Sequence, residues 1–312
     1  MVIPTSNRSE LLAEALQSIR AVEGADLQLE PIVIDDGDDA GTRAVAARHG
    51  ARYLRSPSRG AAAARNAGLR AASGEFIAFL DDDDRWLPGH LRSHIRVMRE
   101  RPEVSAVFGQ AVSYDSEFGA HTRPWPDGYP RGRSGFERVL SYQPQLGATV
   151  VRSSAVASVG FFEETLSGNR DWAWMSADED WDWQLRLAIA HNVEFIAVPS
   201  VGYRCRPRRQ TAGDDLEWRR LPYHDRVFWT NVRRAGRARP RWLSIIRRYA
   251  GIRGQFAVMF LDSGVLHWLA GDRRSAGRQL IRGMRASPLH AALWLARKAS
   301  ARRSLLGGVT SG

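Results

Sequence analysis

Cysteine is almost missing from this chain. With Cys205 as the only one among 312 residues, no internal disulfide and no thiolate-built zinc site can form. Lysine is equally scarce: Lys298 stands alone, so nearly every positive charge is an arginine. Long apolar runs are absent too. A membrane-crossing helix needs about 18 or more apolar residues in a row, and the best stretch, 256–270, is broken by Asp262 and His267. The chain runs straight into Val2-Ile3-Pro4-Thr5 without the basic and apolar regions of a secretory signal. A cytoplasmic protein is the expectation, and no internal repeat is evident.

What is present is the composition of a globular protein, 44% hydrophobic and 25% charged. The net charge of +11 is unevenly spread. From Arg204 onward there are 24 basic and 6 acidic residues, a net of +18, whereas the first 203 residues carry −7. That shift predicts a boundary, with one domain over 1–203 and a basic, mainly helical region over 204–312. A basic region of this kind attracts polyanions or anionic surfaces.

The first hundred residues alternate apolar runs with helical periodicity. Val2-Ile3, 31–34, 52–54, 76–80 and 104–108 read as strands. Helices are predicted over 9–22, 41–49, 60–72 and 88–101. Uninterrupted apolar strands separated by helices predict a parallel sheet covered on both faces, and such sheets bind ligands beyond the carboxyl ends of their strands. The polar clusters fall at that edge: Pro4-Thr5 after the first strand, Asp35-Asp36 after the second, Asp81 to Asp84 after the fourth. Residues 110–175 are rich in Pro, Gly and aromatics and predict little regular structure. A helix over 178–191, a strand over 193–198 and four helices beyond 215 complete the reading.

Four consecutive aspartates repel one another unless a cation or water compensates, and hard divalent cations prefer carboxylate oxygens. The competing reading is a solvated loop capping the next helix. Arg65-Asn66-Ala67-Gly68 is an odd run for a purely structural helix, because Asn and Gly lower helix propensity, and Arg65 suits a phosphate or hydroxyl. Glu179-Asp180 opens a helix whose dipole keeps a carboxylate ionised, as a general base or as a simple cap. Trp172, Trp174, Trp181 and Trp183 surround that pair, and Trp86 follows the aspartates. Indoles there serve either as a stacking platform for a sugar acceptor or as core packing.

In order and spacing, VIPTSNR, IDDGD, ARNAG, GEFIAFLDDDDRWLP and ADEDWDWQLRLA resemble the family 2 glycosyltransferases over about residues 1–203. The resemblance implies a GT-A, Rossmann-like, mostly parallel sheet flanked by helices, with a C-terminal helical extension. It implies an inverting transfer from a nucleotide-diphosphate sugar to an acceptor hydroxyl, assisted by Mn²⁺ or Mg²⁺. By position, Pro4, Thr5, Asp35 and Asp36 match the nucleotide site, Arg65 a position near the donor sugar and phosphates, and Asp82 one that reaches the ribose or sugar. Asp81 and Asp83 match the family's Asp-x-Asp, with Asp83 the direct metal ligand. Asp180 matches the general base, with Glu179 beside it. Two departures stand out. The first strand starts late, which predicts either residues upstream of Met1 or a short sheet edge. Where the family often carries Tyr-Arg-x-His, this chain has Tyr203-Arg204-Cys205-Arg206, so Arg204 or Arg206 is expected on the diphosphate.

Three other functions compete. A nucleotidyltransferase normally needs a lysine-bearing phosphate loop that this chain lacks. A nucleic-acid or anionic-surface binding module would use the basic half but leaves the aspartates unexplained, so no nucleic acid is expected as a partner. A nucleotide-sugar-binding protein without turnover would not need both Asp83 and Asp180. The acceptor class stays open among glycans, lipid-linked sugars and small molecules. The basic region reads as a peripheral anchor on an anionic membrane, a partner surface or a solvated helical cap.

Overall fold

The structure is a computed structural model that describes residues 1–22, 27–114, 121–125, 132–166, 178–204, 210–236 and 242–307. Arg206, Trp172 and Trp174 lie outside the described residues. The chain divides into two compact units, one of residues 1–207 and 226–238 and one of 208–225 and 239–312. A single cut at 203 was expected, whereas helix α8 (Gln210–Ala235) contributes to both units.

The first unit is built on two sets of strands. The short runs β1 (Val2–Thr5), β2 (Ile32–Asp35) and β3 (Arg52–Arg55) pair in parallel, in register Val2 to Ile32 and Ile32 to Arg52. That register brings Thr5 and Asp35 side by side at the carboxyl ends. The second set follows the order β4 (Phe76–Ala78), β9 (Thr149–Arg152), β6 (Val104–Tyr114), β10 (Asn192–Arg204), β5 (Arg85–Trp86). Strand β7 (His121–Trp125) pairs with β6, and β8 (Gly132–Ser134) with β10. A parallel bridge from Val2 to Phe79, with Leu80 N–H donating to the Val2 carbonyl at 3.1 Å, stitches the two sets together.

The parallel strands are those expected. The sheet is nonetheless mixed, because β9 runs antiparallel to β4 and β6, and β5 antiparallel to β10. Strand β9, over Thr149-Val150-Val151-Arg152, falls inside the stretch predicted to hold little regular structure. Its three buried β-branched residues explain why it pairs.

Helices α1 (Ser9–Val22), α2 (Gly41–Arg48), α3 (Ala61–Ala71) and α4 (His90–Glu100) flank this sheet. Leu12, Ala15, Leu16 and Ile19 of α1 are all buried at helical spacing. In α3, Gly68 meets the sheet so closely that a Cβ there would stand 2.5 Å from Val2 Cγ1 and 2.8 Å from Ile34 Cδ1. The helix therefore lies tight on β1 and β2, which fixes Arg65 one turn earlier. Asn66 clasps the loop after α6 (Ser153–Val159): its amide donates to the Phe162 carbonyl and Glu164, and its oxygen accepts from Phe162 N–H at 2.8 Å. Both unusual residues of the Arg65–Gly68 run thus have packing roles.

Helix α5 (Phe136–Tyr142) precedes β9, and α7 (Glu179–Ala190) precedes β10. Asp178, at φ 68°, turns the chain into α7. In the second unit α9 (Trp242–Leu269), α10 (Arg273–Ala286) and α11 (Pro288–Gly307) follow the predicted helices closely. Phe260 and Ala257 form its core with Leu221 and Ala286. No helix among the described residues is long and apolar enough to cross a membrane.

Candidate active site

The aspartate cluster follows β4 and is divided by burial. Asp82 and Asp84 are buried, whereas the side chains of Asp81 and Asp83 keep 35% and 25% of their surface. Asp82 is held from two sides: Thr5 Oγ1 donates to it at 2.7 Å, and Arg8 Nη1 lies 3.1 Å away. Burial pushes the Asp82 carboxyl up to about 7, against the pull of Arg8. Burial, and then the charges of Asp83 and Asp81, raise Asp84 well above the usual carboxylate range. Asp84 accepts the Arg204 backbone N–H at 3.0 Å, which ties the cluster to the end of β10.

Arg65 connects this cluster to α7. Its Nη2 donates to Asp81 at 2.8 Å and its Nη1 to Glu179 at 2.9 Å. Burial disfavours the guanidinium charge, yet Asp81, Glu179 and Asp180 outweigh it and hold Arg65 protonated. Both terminal nitrogens are taken by protein carboxylates, so in this structure Arg65 organises the site instead of presenting a free cation to a donor. Asp180, one residue after Glu179, is half-buried at the first turn of α7, where its carboxylate accepts the Trp181 N–H at 2.7 Å. A helix N-terminus favours that charge.

At the end of β2, Asp35 is buried and spent on the fold: it accepts Gly37 N–H at 2.9 Å and the Tyr53 hydroxyl at 3.0 Å. Asp36 differs. Its Oδ2 accepts Gly60 N–H at 2.7 Å, while its Oδ1 is buried without any hydrogen-bond partner. Such an orphaned acceptor is costly unless a ligand supplies the donor. Pro4 and Thr5 lie beside this edge through the β1–β2 register.

The tryptophans give a correction. Trp86, Trp181 and Trp183 are all buried, and each indole N–H donates to a backbone carbonyl: Gly147, Val139 and Gly160 respectively. Trp183 stacks on Phe162 with centroids 4.9 Å apart, and Trp181 packs near Phe228. No indole face of these three is open to an acceptor sugar; they are core. Arg204 is likewise engaged, with its Nε on the Asp83 carbonyl at 3.1 Å and its Nη2 on Glu14. Sequence reasoning missed Arg8, whose Nη1 also lies 3.2 Å from Asp83. It sits inside the VIPTSNR motif, but its partners are 74 and 75 residues away and carry no local signal.

Among the described residues no group of three His, Cys, Asp or Glu side chains forms a closed metal cage. The donor set does suit a hard divalent cation of the kind that takes one or two protein carboxylates and completes its shell with substrate phosphates. Asp81 and Asp83 are the two carboxylates open enough to do so.

The profile of the family described as Glycosyl transferase family 2 matches residues 1–164, just over half the chain. The chain belongs to this family and is a transferase enzyme. It is 29% identical over 244 residues, 73% of its length and 81% of the relative's, to an uncharacterized glycosyltransferase, YwdF, of Bacillus subtilis. It is 30% identical over 214 residues to a pre-mycofactocin glycosyltransferase of Mycobacterium tuberculosis, covering 62% of this chain but 42% of that protein. Among solved structures, a mannosyltransferase of Pyrobaculum calidifontis in complex with GDP-Man and Mn²⁺ superposes with TM-score 0.56. That likeness covers 96% of this chain and 79% of the other at 20% identity, and it shows the GT-A fold.

Proposed function

We propose that this enzyme transfers a sugar, with inversion, from a nucleoside-diphosphate sugar to an acceptor hydroxyl, with Asp180 as general base. The observation that carries the reading is the chain of contacts Asp83-Arg8-Asp82-Thr5 and Asp81-Arg65-Glu179. It gathers the strand-end carboxylates and the start of α7 around one edge of the sheet. A donor bound at that edge would meet Asp36 through its base and the aspartate cluster through its diphosphate. That the Pyrobaculum enzyme of the same fold is in complex with GDP-Man and Mn²⁺ supports a nucleotide sugar as the donor class.

Asp180 takes the proton of the acceptor hydroxyl while that oxygen bonds to the anomeric carbon. The bond from the anomeric carbon to the phosphate oxygen breaks on the opposite face, and the nucleoside diphosphate leaves. Glu179 and Arg65 fix the first turn of α7, and so the direction of the base. Asp83, with Asp81, would hold Mn²⁺ or Mg²⁺, which supplies Lewis-acid neutralisation of the diphosphate charge. Arg206 remains a candidate contact for the diphosphate, while Arg204 serves the site through Asp84 and Glu14.

Nucleotide release from a panel of nucleotide sugars, with simple glycoside and lipid-linked acceptors, tests the assignment. Asp180→Asn should keep donor affinity and lose about 100-fold or more in kcat, the size of a general-base contribution. Turnover at the wild-type rate would exclude Asp180 as the base.

A further inference from the structure

Two helices of the second unit, α10 and α11, bury small side chains and turn large apolar ones outward. Helix α10 buries Ser275, Ala276, Gln279, Gly283 and Ala286 and turns Ile281 and Met284 to the outside. Close packing uses up its small face: a Cβ at Gly283 would stand 2.6 Å from Leu261 Cγ. Helix α11 repeats the pattern, with Ala291 buried and Leu293 exposed. At the end of α9, Trp268 and Leu269 are 57% and 76% exposed. Of the thirteen exposed large hydrophobic side chains among the described residues, ten lie between Ile246 and Leu295. Helices that pack through small residues and present large apolar ones outward are built for a second apolar environment.

Charge says which environment. Residues 242–297 hold nine arginines against two aspartates. On α10, Arg274, Arg278, Ile281 and Arg285 recur at helical spacing and are all exposed, so cations and apolar groups share one face. Arg273 lies over the Trp268 ring at 5.4 Å. A second copy of the chain would bring the same arginines against these, a like-charge juxtaposition that opposes a symmetric interface. Apolar side chains flanked by arginine and tryptophan match the boundary between acyl chains and phosphate headgroups.

We infer that the second unit docks on the surface of an anionic phospholipid bilayer. The exposed apolar side chains of α9 to α11 enter the headgroup boundary, and the arginines meet lipid phosphates. No described helix can span the bilayer, so the contact lies in its plane. The inference is independent of the donor and base assignments.

Co-sedimentation of the full chain with vesicles tests it, using phosphatidylcholine alone or mixed with phosphatidylglycerol, at low and high salt. The wild type should sediment with the anionic vesicles at low salt and be released as salt screens the headgroups. The double substitution Trp268→Ser, Leu269→Ser should weaken that partition roughly tenfold, because both side chains enter the boundary. Its melting temperature should stay at the wild-type value, since both are exposed. A protein that stays in the supernatant, sediments equally with neutral vesicles, or binds unchanged after the substitution would overturn the inference. So would a concentration-dependent dimer in sedimentation equilibrium that the same substitution abolishes, which would give the face to a second copy.

Discussion

Arg65 and Glu179 meet at 2.9 Å with both side chains buried, although 114 residues separate them. The pair joins α3 to α7, and through Asp81 it extends to the aspartate cluster. Removing one partner of a buried ion pair costs about 3–5 kcal/mol, because a charge is left in a poorly solvating interior. Arg65→Ala should therefore lower stability by about that amount, and adding Glu179→Gln should restore much of it. Urea unfolding of the two single variants and the double variant measures the coupling.

Arg8 lies between Asp82 and Asp83 and has side-chain partners on both. A divalent cation at Asp83 has to compete with it. Arg8→Ala should tighten Mn²⁺ binding in the absence of donor by roughly fivefold, the scale of a partly exposed ion pair near 1 kcal/mol. The fall of the free Mn²⁺ resonance signal on titration reads this directly. An unchanged affinity would show that Arg8 does not share the cation's place.

Asp36 carries a buried oxygen without a partner. Asp36→Asn retains one oxygen for Gly60 N–H but replaces the free acceptor with a donor. Donor affinity should fall roughly tenfold to a hundredfold, as expected for losing a charge-assisted hydrogen bond of about 1.5–3 kcal/mol. Melting temperature without ligand should barely change. Calorimetric titration of the nucleoside diphosphate checks the first half and a thermal melt without ligand the second.

The strand-end clusters were readable because a parallel sheet places loop residues at one edge, whatever the intervening helices do. The clusters that hold Asp36 and Asp81 to Asp84 stood out from position and residue type, whereas the roles expected of Asp36, Asp81, Asp83 and Asp180 came from the family resemblance. The three tryptophans could not be told apart from a sugar platform, because an indole beside an active site looks the same in sequence whether it packs inward or outward. Phe162 and Phe79, which enclose Trp183, are distant in the chain. The role of Arg65 also depended on partners 16 and 114 residues away. Strand β9 was hidden among Pro, Gly and aromatic residues, and it is the central partner of both β4 and β6 that shows its place.

His90 and His94 of α4 meet edge to face with ring centroids 4.4 Å apart, both wholly buried. Burial depresses both, with His94 brought to about 4 and His90 further opposed by His94. The unfolded chain takes up protons near pH 6.5, well above where the folded chain does. The stability they contribute is complete above that pH and is lost as pH falls toward 4. His90→Leu should flatten this acid-side slope. It should also gain about 1 kcal/mol at pH 7, because neither His90 ring nitrogen has a hydrogen-bond partner. Urea midpoints at pH 7, 6 and 5 decide the point.

The most direct test of nucleotide-sugar transfer at this site is a thermal-shift panel of UDP, GDP, dTDP and CMP and their sugar conjugates, each with and without Mn²⁺. A ligand at about 100 times its dissociation constant adds about 2.7 kcal/mol, a clear shift. One nucleotide class should give a shift that requires Mn²⁺ and disappears in Asp83→Ala. A panel in which no nucleotide shifts the wild-type protein, with metal or without, would contradict it.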